Sequence, residues 1–168
     1  MKWYFLLPIF LVLNFAALGI GSIFTDAGVS SGWYQSLNKA PWTPPGWVFG
    51  AAWTTIMICF AVYMMYAWNA VRNRNHLITL YILQWVLNVS WNPIFFRFHD
   101  PVPALFIIVA LTVLLTWLML AHWSSLKLKS LLIAPYIIWL LIATSLNAYI
   151  VFNNETTDQS GAGTMTYC

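Results

Sequence analysis

Charge is what this chain of 168 residues has least of. Asp, Glu, Lys and Arg together make up 7% of it, with four carboxylates and seven Lys/Arg, against about 25% in soluble domains. Eleven charges cannot keep a water-facing globule of this size in solution. So few carboxylates also leave little material for an acid–base dyad, which needs two such groups at one substrate. The pI near 9 comes from scarce acids rather than from a basic stripe, so nucleic acid is excluded as a partner. Cysteine is nearly absent as well: Cys59 sits in an apolar run and Cys168 is the last residue, which excludes a disulfide scaffold. The three histidines, His76, His99 and His122, show no HExxH or CxxCH spacing. They read as interfacial structural residues rather than metal or haem ligands, and no metal site is expected.

What remains is apolar and aromatic: 61% hydrophobic residues, with 11 Trp, 11 Phe and 8 Tyr. The charges fall so as to leave five charge-free windows, 3–25, 40–71, 75–96, 101–126 and 130–154, each long enough for the roughly 20 residues that cross a bilayer. Turn signals trim these to helices near 3–24, 46–68, 76–96, 103–122 and 131–152. Strict polar/apolar alternation is missing, which disfavours a β-barrel. The fold class expected is an all-α integral membrane protein, a five-transmembrane-helix bundle in one domain, 1–152, followed by a polar disordered tail, 153–168. The first apolar stretch exceeds the 7–15 residues of a signal-peptide core and is read as a retained span. No internal repeat is visible, and an odd number of spans does not suit a simple inverted-repeat transporter.

Lys2, Arg72, Arg74, Lys127 and Lys129 lie on one side of this arrangement, Lys39 and Arg97 on the other. By the positive-inside rule the N-terminus is cytoplasmic and loop 25–45 periplasmic in a bacterial inner membrane. A mitochondrial outer membrane is the corresponding expectation for a eukaryotic chain. Loop 25–45 is the only long one, and Pro41, Pro44 and Pro45 stiffen it. Its Trp33, Tyr34 and Trp42 serve either as an interfacial aromatic belt or as a lid over a cavity.

No Asp, Glu, Lys or Arg falls at mid-span, which removes the usual marks of a proton relay or ion pathway. The intramembrane polarity is uncharged. In the third span Tyr81, Gln84, Trp85, Asn88, Trp91 and Asn92 recur at helical spacing, and in the fifth Tyr136, Trp139, Ala143 and Asn147 do. Trp47, Trp53, Phe60 and Tyr63 line the second. Asn and Gln in hydrocarbon must face protein or a cavity, as interhelical glue or as ligand contacts. Tryptophans beside Asn, with the small Ala143 between them, suit a pocket for a flat, aromatic, poorly soluble ligand. Ala17-x-x-x-Gly21 and Gly46-x-x-x-Gly50 allow close helix packing, within the chain or between chains.

Three blocks of residues carry a family resemblance. They are Gly32-Trp33-Tyr34-x-x-Leu37-x-Lys39 with Trp42-x-Pro44-Pro45; Asn88-x-x-Trp91-Asn92-Pro93-Ile94-Phe95-Phe96; and Pro135-Tyr136-x-x-Trp139-x-x-x-Ala143-Thr144-x-Leu146-Asn147. In this order they resemble the translocator protein family, also called tryptophan-rich sensory proteins (TspO/MBR), known in animals as peripheral-type benzodiazepine receptors. The resemblance spans about residues 5–152. It implies a five-helix bundle, commonly a homodimer in the lipid bilayer. It also implies a pocket for protoporphyrin IX or haem as ligand rather than required cofactor, and for isoquinoline and benzodiazepine drugs. The role implied is that of a sensor or regulator; light- and oxygen-dependent porphyrin degradation, or transport of porphyrins and other amphiphiles, are the alternatives.

By motif position the resemblance places ligand contacts at Tyr34, Pro44, Trp53, Asn88, Trp139 and Ala143. The helical stripes add Trp91 and Asn147. Trp53 and Trp139 match the tryptophans linked to porphyrin photochemistry, the one possible catalytic role. Two departures stand out. Lys39-Ala40-Pro41-Trp42 shifts the usual loop proline by one position, and no basic residue follows Tyr149, which argues against sterol binding.

Overall fold

The computed structural model of the chain describes residues 3–154, and these are helical throughout apart from short connections. Five long helices, α1 (Trp3–Val29), α3 (Gly46–Ala70), α4 (Arg74–Phe96), α5 (Pro101–Ala121) and α7 (Ala134–Asn154), are accompanied by two short ones, α2 (Gly32–Ser36) and α6 (Trp123–Leu126). A 3-10 stretch, Lys127–Ile133, runs directly into α7. The long helices close a ring: α1 packs on α3 and α4, α4 on α5, α5 on α7, and α7 returns to α3. The α3–α7 seam is the loosest of the five.

Four segments are long and apolar enough to cross a membrane: Phe5–Val29, Gly46–Ala70, Pro101–Ala121 and Trp123–Asn154. Their outward faces carry Val12, Ile23, Ile58, Phe106, Val113 and Leu141, all exposed, as lipid-facing residues must be. The sequence reading of five such spans is therefore met by four. The departure is α4, as long as its neighbours but bearing His76, Gln84, Asn88, Ser90 and Asn92. That polarity is turned inward or onto neighbours: Gln84 and Asn88 are buried, and Asn92 accepts a hydrogen bond from Thr25 of α1 at 2.8 Å.

Helix ends also differ from the sequence expectation. The first helix runs to Val29 rather than 24, because residues 25–29 contain no proline and Thr25 bonds back to the Gly21 carbonyl. The connection after it begins near Ser30 and itself contains α2, capped by the Ser31 hydroxyl on Tyr34 N–H. The last α-helix starts at Ala134 rather than 131, its entry taken up by the 3-10 stretch, and extends to Asn154. Of the tail expected from 153 on, Asn153 and Asn154 are helical, and residues 155–168 lie outside the described residues.

Polar groups in the core join helices in pairs and triads. Asn14 of α1 donates to the Met57 carbonyl of α3 at 3.0 Å and accepts from the Tyr81 hydroxyl of α4 at 2.7 Å. Trp85 of α4 donates to the Leu13 carbonyl at 3.0 Å. Where α1 and α4 cross near the loop side, glycine is needed for closeness. A Cβ at Gly28 would overlap the Phe96 side chain, and one at Gly21 would stand 2.7 Å from the Asn92 amide nitrogen. At the opposite end the Tyr63 hydroxyl of α3 meets His122 Nδ1 at 2.9 Å.

Two outcomes follow. Gly28→Ala forces Phe96 aside and should cost about 1–3 kcal/mol in thermal unfolding in detergent. Gly19→Ala, with nothing within 4 Å of its Cβ, should cost nothing; equal losses would remove the packing argument. His122 lies between membrane segments, and burial, reinforced by nearby His76, holds its pKa below the ordinary value. Its unfolded form therefore takes up the proton first. Stability should be full above the unfolded value of about 6.5 and decline as pH falls below it. His122→Gln should flatten that decline; an unchanged pH profile would show that another group causes it.

Candidate functional site

Two aromatic groups stand at different heights in the ring. The first bridges the α3–α7 seam. Helical spacing puts Phe49, Trp53 and Phe60 toward α7, where Trp139 and Tyr136 meet them. Phe49 and Trp139 are edge-to-face at 5.1 Å, Trp53 and Tyr136 at 5.7 Å, and Phe60 and Tyr136 at 5.7 Å. Trp139 is buried and Trp53 half-buried. The second group lies at the loop side of α4. Trp91 stacks on Phe95 at 5.3 Å, and Tyr34 of α2 packs against Phe95 and Phe96 at 6.4 and 5.6 Å. No ring contact links Trp53 or Trp139 to Tyr34 or Trp91. On α4, Asn88 lies one turn from Trp91 and one turn from Gln84; on α7, Ala143 lies one turn beyond Trp139.

Hydrogen-bonding capacity in this zone is only partly used. Gln84 donates to the Tyr136 hydroxyl at 2.9 Å, but its own carbonyl oxygen is buried without a partner. The Thr144 hydroxyl is likewise buried and unpartnered. Asn88 is only 7% exposed, and its side-chain amide makes no hydrogen bond among those of the described residues. A buried polar group left unpaired costs about 1–3 kcal/mol; Gln84 Oε1 and the Thr144 hydroxyl carry that cost on opposite sides of the interior, as Trp68 Nε1 and the Ser130 hydroxyl do elsewhere among the described residues. Asn147, by contrast, is engaged. With its amide oriented to suit its neighbours, it donates to the Pro101 carbonyl at 3.0 Å and accepts from Leu105 N–H at 3.1 Å, fastening α7 to the first turn of α5.

The connection between α1 and α3 bridges α4 and α7 on the loop side. Trp33 stacks on His99 at 4.4 Å, and Lys39 places its ammonium 4.5 Å from the Tyr34 ring centroid. Burial raises the Tyr34 pKa, so its phenol stays neutral beneath that cation. Asn38 N–H donates to Asn154 Oδ1 at 2.8 Å, and the Asn154 amide returns a bond to the Asn38 carbonyl at 3.2 Å. Trp42 donates to the Ser145 hydroxyl at 3.2 Å and meets Tyr149 edge-on at 5.3 Å. Ala40, beside the displaced proline, is buried, and Pro44 is half-buried before α3. This strap is anchored to protein at four residues, which a plain interfacial belt would not require.

The structure thus divides the residues named from sequence. Trp53 and Trp139 share the α3–α7 seam, Tyr34 and Trp91 share the α2–α4 cluster, Asn88 and Ala143 lie between these heights, Pro44 belongs to the strap, and Asn147 faces α5. Sequence reasoning did not single out Phe49, Thr144 or Ser145 as site residues. Phe49 stands one turn before Trp53, a usable signal; Thr144 stands in the third motif block, and Ser145 had no signal beyond lying near Ala143.

The fold and site define a multi-pass, all-α membrane protein with a tryptophan-lined interior. Comparison with known proteins names the family: residues 9–152 match the model of the TspO/MBR family, and the chain belongs to it. It is 35% identical to the tryptophan-rich protein TspO of Archaeoglobus fulgidus, over 85% of this chain and 94% of that relative. It is 32% identical to the tryptophan-rich sensory protein of Cereibacter sphaeroides, over 68% and 72% of the two chains. It is 30% identical to the human translocator protein, over 81% and 82%.

Trp42→Ala removes one hydrogen bond and one ring contact, worth together about 1–2 kcal/mol. Amide exchange across residues 38–44 should then rise about tenfold, the equivalent of 1.4 kcal/mol. Trp47→Ala, at a side chain 75% exposed, should leave it unchanged. Equal exchange in both variants would mean that Trp42 does not hold the strap.

Proposed function

We propose that all five long helices cross the bilayer, α4 with its polar face inward, and that the interior binds a flat tetrapyrrole such as protoporphyrin IX or haem as part of a membrane sensor or regulator. The observation that carries this reading is the pair of buried, unpartnered atoms Gln84 Oε1 and Thr144 Oγ1, with the unbonded Asn88 side chain one turn from Gln84, on the two helices that bear Trp91 and Trp139. Indole faces supply stacking area, and a few convergent polar groups orient the ligand. A relative called a tryptophan-rich sensory protein supports the regulatory half of the reading.

Trp53 and Tyr136, two oxidisable rings in contact at 5.7 Å, favour a second activity: light- and oxygen-dependent porphyrin degradation assisted by Trp53 and Trp139. Transport of amphiphiles has no such observation behind it.

Protoporphyrin IX titrated into the protein in nanodiscs should quench tryptophan fluorescence saturably. Ala143→Leu, adding bulk beside Trp139, should weaken binding while leaving the unliganded melting temperature in place. A collapse of stability instead would make Ala143 a packing spacer, since overpacking costs about 1–3 kcal/mol. Trp53→Phe and Trp139→Phe keep a stacking face and should each lose only about 1 kcal/mol of affinity. Under illumination the same variants should lose far more of the porphyrin-bleaching rate than of binding. Bleaching at the parent rate would assign it to free singlet oxygen.

A further inference from the structure

On the lipid-facing side of the α3–α7 seam lies a groove of about 410 Å³, lined by Val48, Ala51, Ala52, Thr55 and Ile56 of α3 and by Pro135, Ile138 and Trp139 of α7. It is a surface depression open on one side rather than an enclosed cavity. The lining suits an apolar visitor. The Thr55 hydroxyl is spent on the Ala51 carbonyl at 2.9 Å, and Ala51 and Ala52 leave room that larger side chains would fill. Trp139 belongs both to this groove and to the aromatic group behind it. The ring pairs Phe49–Trp139, Trp53–Tyr136 and Phe60–Tyr136 stand between groove and interior along the seam. Phe49 and Trp139 meet through their rings alone, so a side-chain rotation parts them without breaking a polar contact, whereas Tyr136 is held in place by the Gln84 amide. The loop-side route is more obstructed: the strap is fastened by the paired Asn38–Asn154 bonds, by Trp42 on Ser145 and by Trp33 on His99.

We propose that the groove is a lateral portal through which a flat, membrane-dissolved aromatic ligand passes between lipid and the interior, with Phe49 and Trp139 as its gate. This rests on the binding reading above and adds the direction of entry. A tetrapyrrole that partitions into the bilayer reaches this groove by diffusion in two dimensions, without crossing the strap. A portal speeds entry and exit alike, so blocking it changes rates and not affinity.

The test uses the full chain in nanodiscs, with protoporphyrin IX as probe and stopped-flow tryptophan quenching as readout. Ala51→Phe and Ile138→Phe fill the groove from positions on its exposed side. Each should slow association and dissociation by at least about tenfold and leave Kd within about twofold. Asn154→Ala removes the paired bonds to Asn38, loosening the strap at one of its anchors, and should leave both rates unchanged. Unaltered rates in the two groove variants, or faster exchange in Asn154→Ala, would overturn the portal. A change of oligomeric state in Ala51→Phe without a change of rates would assign the groove to a second copy and overturn it too. If the unmodified protein fails to bind the probe, it is the binding reading that fails, and the portal falls with it.

Discussion

Asn14 illustrates the constraint on which this structure depends: inside a bilayer no water stands ready to satisfy a polar group, so another helix must. Its amide donates to α3 and accepts from α4 in hydrogen bonds of 3.0 and 2.7 Å. One side chain thereby fixes three helices relative to one another. Apolar burial cannot do this alone, because lipid tails solvate leucine as well as a neighbouring helix does. Specificity comes from the few polar contacts and from close approaches such as Gly28 against Phe96. The same requirement makes the exceptions informative. Where Gln84 Oε1 and Thr144 Oγ1 are buried without partners, the fold has not provided what hydrocarbon demands.

That contrast separates structural from functional polarity among chemically similar residues. Asn14, Asn92 and Asn147 are each bonded across a helix interface, and Asn88 is not. Tyr81 is engaged by Asn14, whereas Tyr136 receives a bond from Gln84 while Gln84 keeps a free acceptor. Part of the unfilled capacity, Gln84 Oε1 and Thr144 Oγ1, lies on α4 and α7, between an aromatic group at the α3–α7 seam and another beneath the strap; Trp68 on α3 and Ser130 in the 3-10 stretch hold the rest among the described residues. The strap itself is tied to α7 and to the connection that follows α4. It is thereby placed to limit access from the aqueous side, while the seam faces lipid.

Much of this was legible in the sequence. Eleven charges placed only between apolar windows delimited the long helices, and the spacing of Trp53, Asn88, Trp139 and Ala143 put each on a definite helical face. The errors have physical causes. Charge-free windows do not register how polar a helix is inside, so α4 was read as equivalent to its neighbours. The first charge-free window closes at Asp26, which says nothing of where the backbone leaves the helix, and α1 continues to Val29; the 3-10 entry to α7 carries no proline or glycine within Lys127–Ile133 to announce it. Periodicity along one helix also says nothing about its partner. It placed Asn147 on the same stripe as Trp139 but could not tell that its amide would meet Pro101 and Leu105, nor that Phe49 would close on Trp139.

The central claim is that the interior between α4 and α7 is completed by a flat aromatic ligand. The most direct measurement is a structure of the protein in nanodiscs at saturating protoporphyrin IX. The account predicts ring density between these helices, stacked on Trp139, with a polar contact to Gln84, Asn88 or Thr144. Density confined to the lipid-facing surface, or an interior unchanged with those three groups still unpaired, would contradict it.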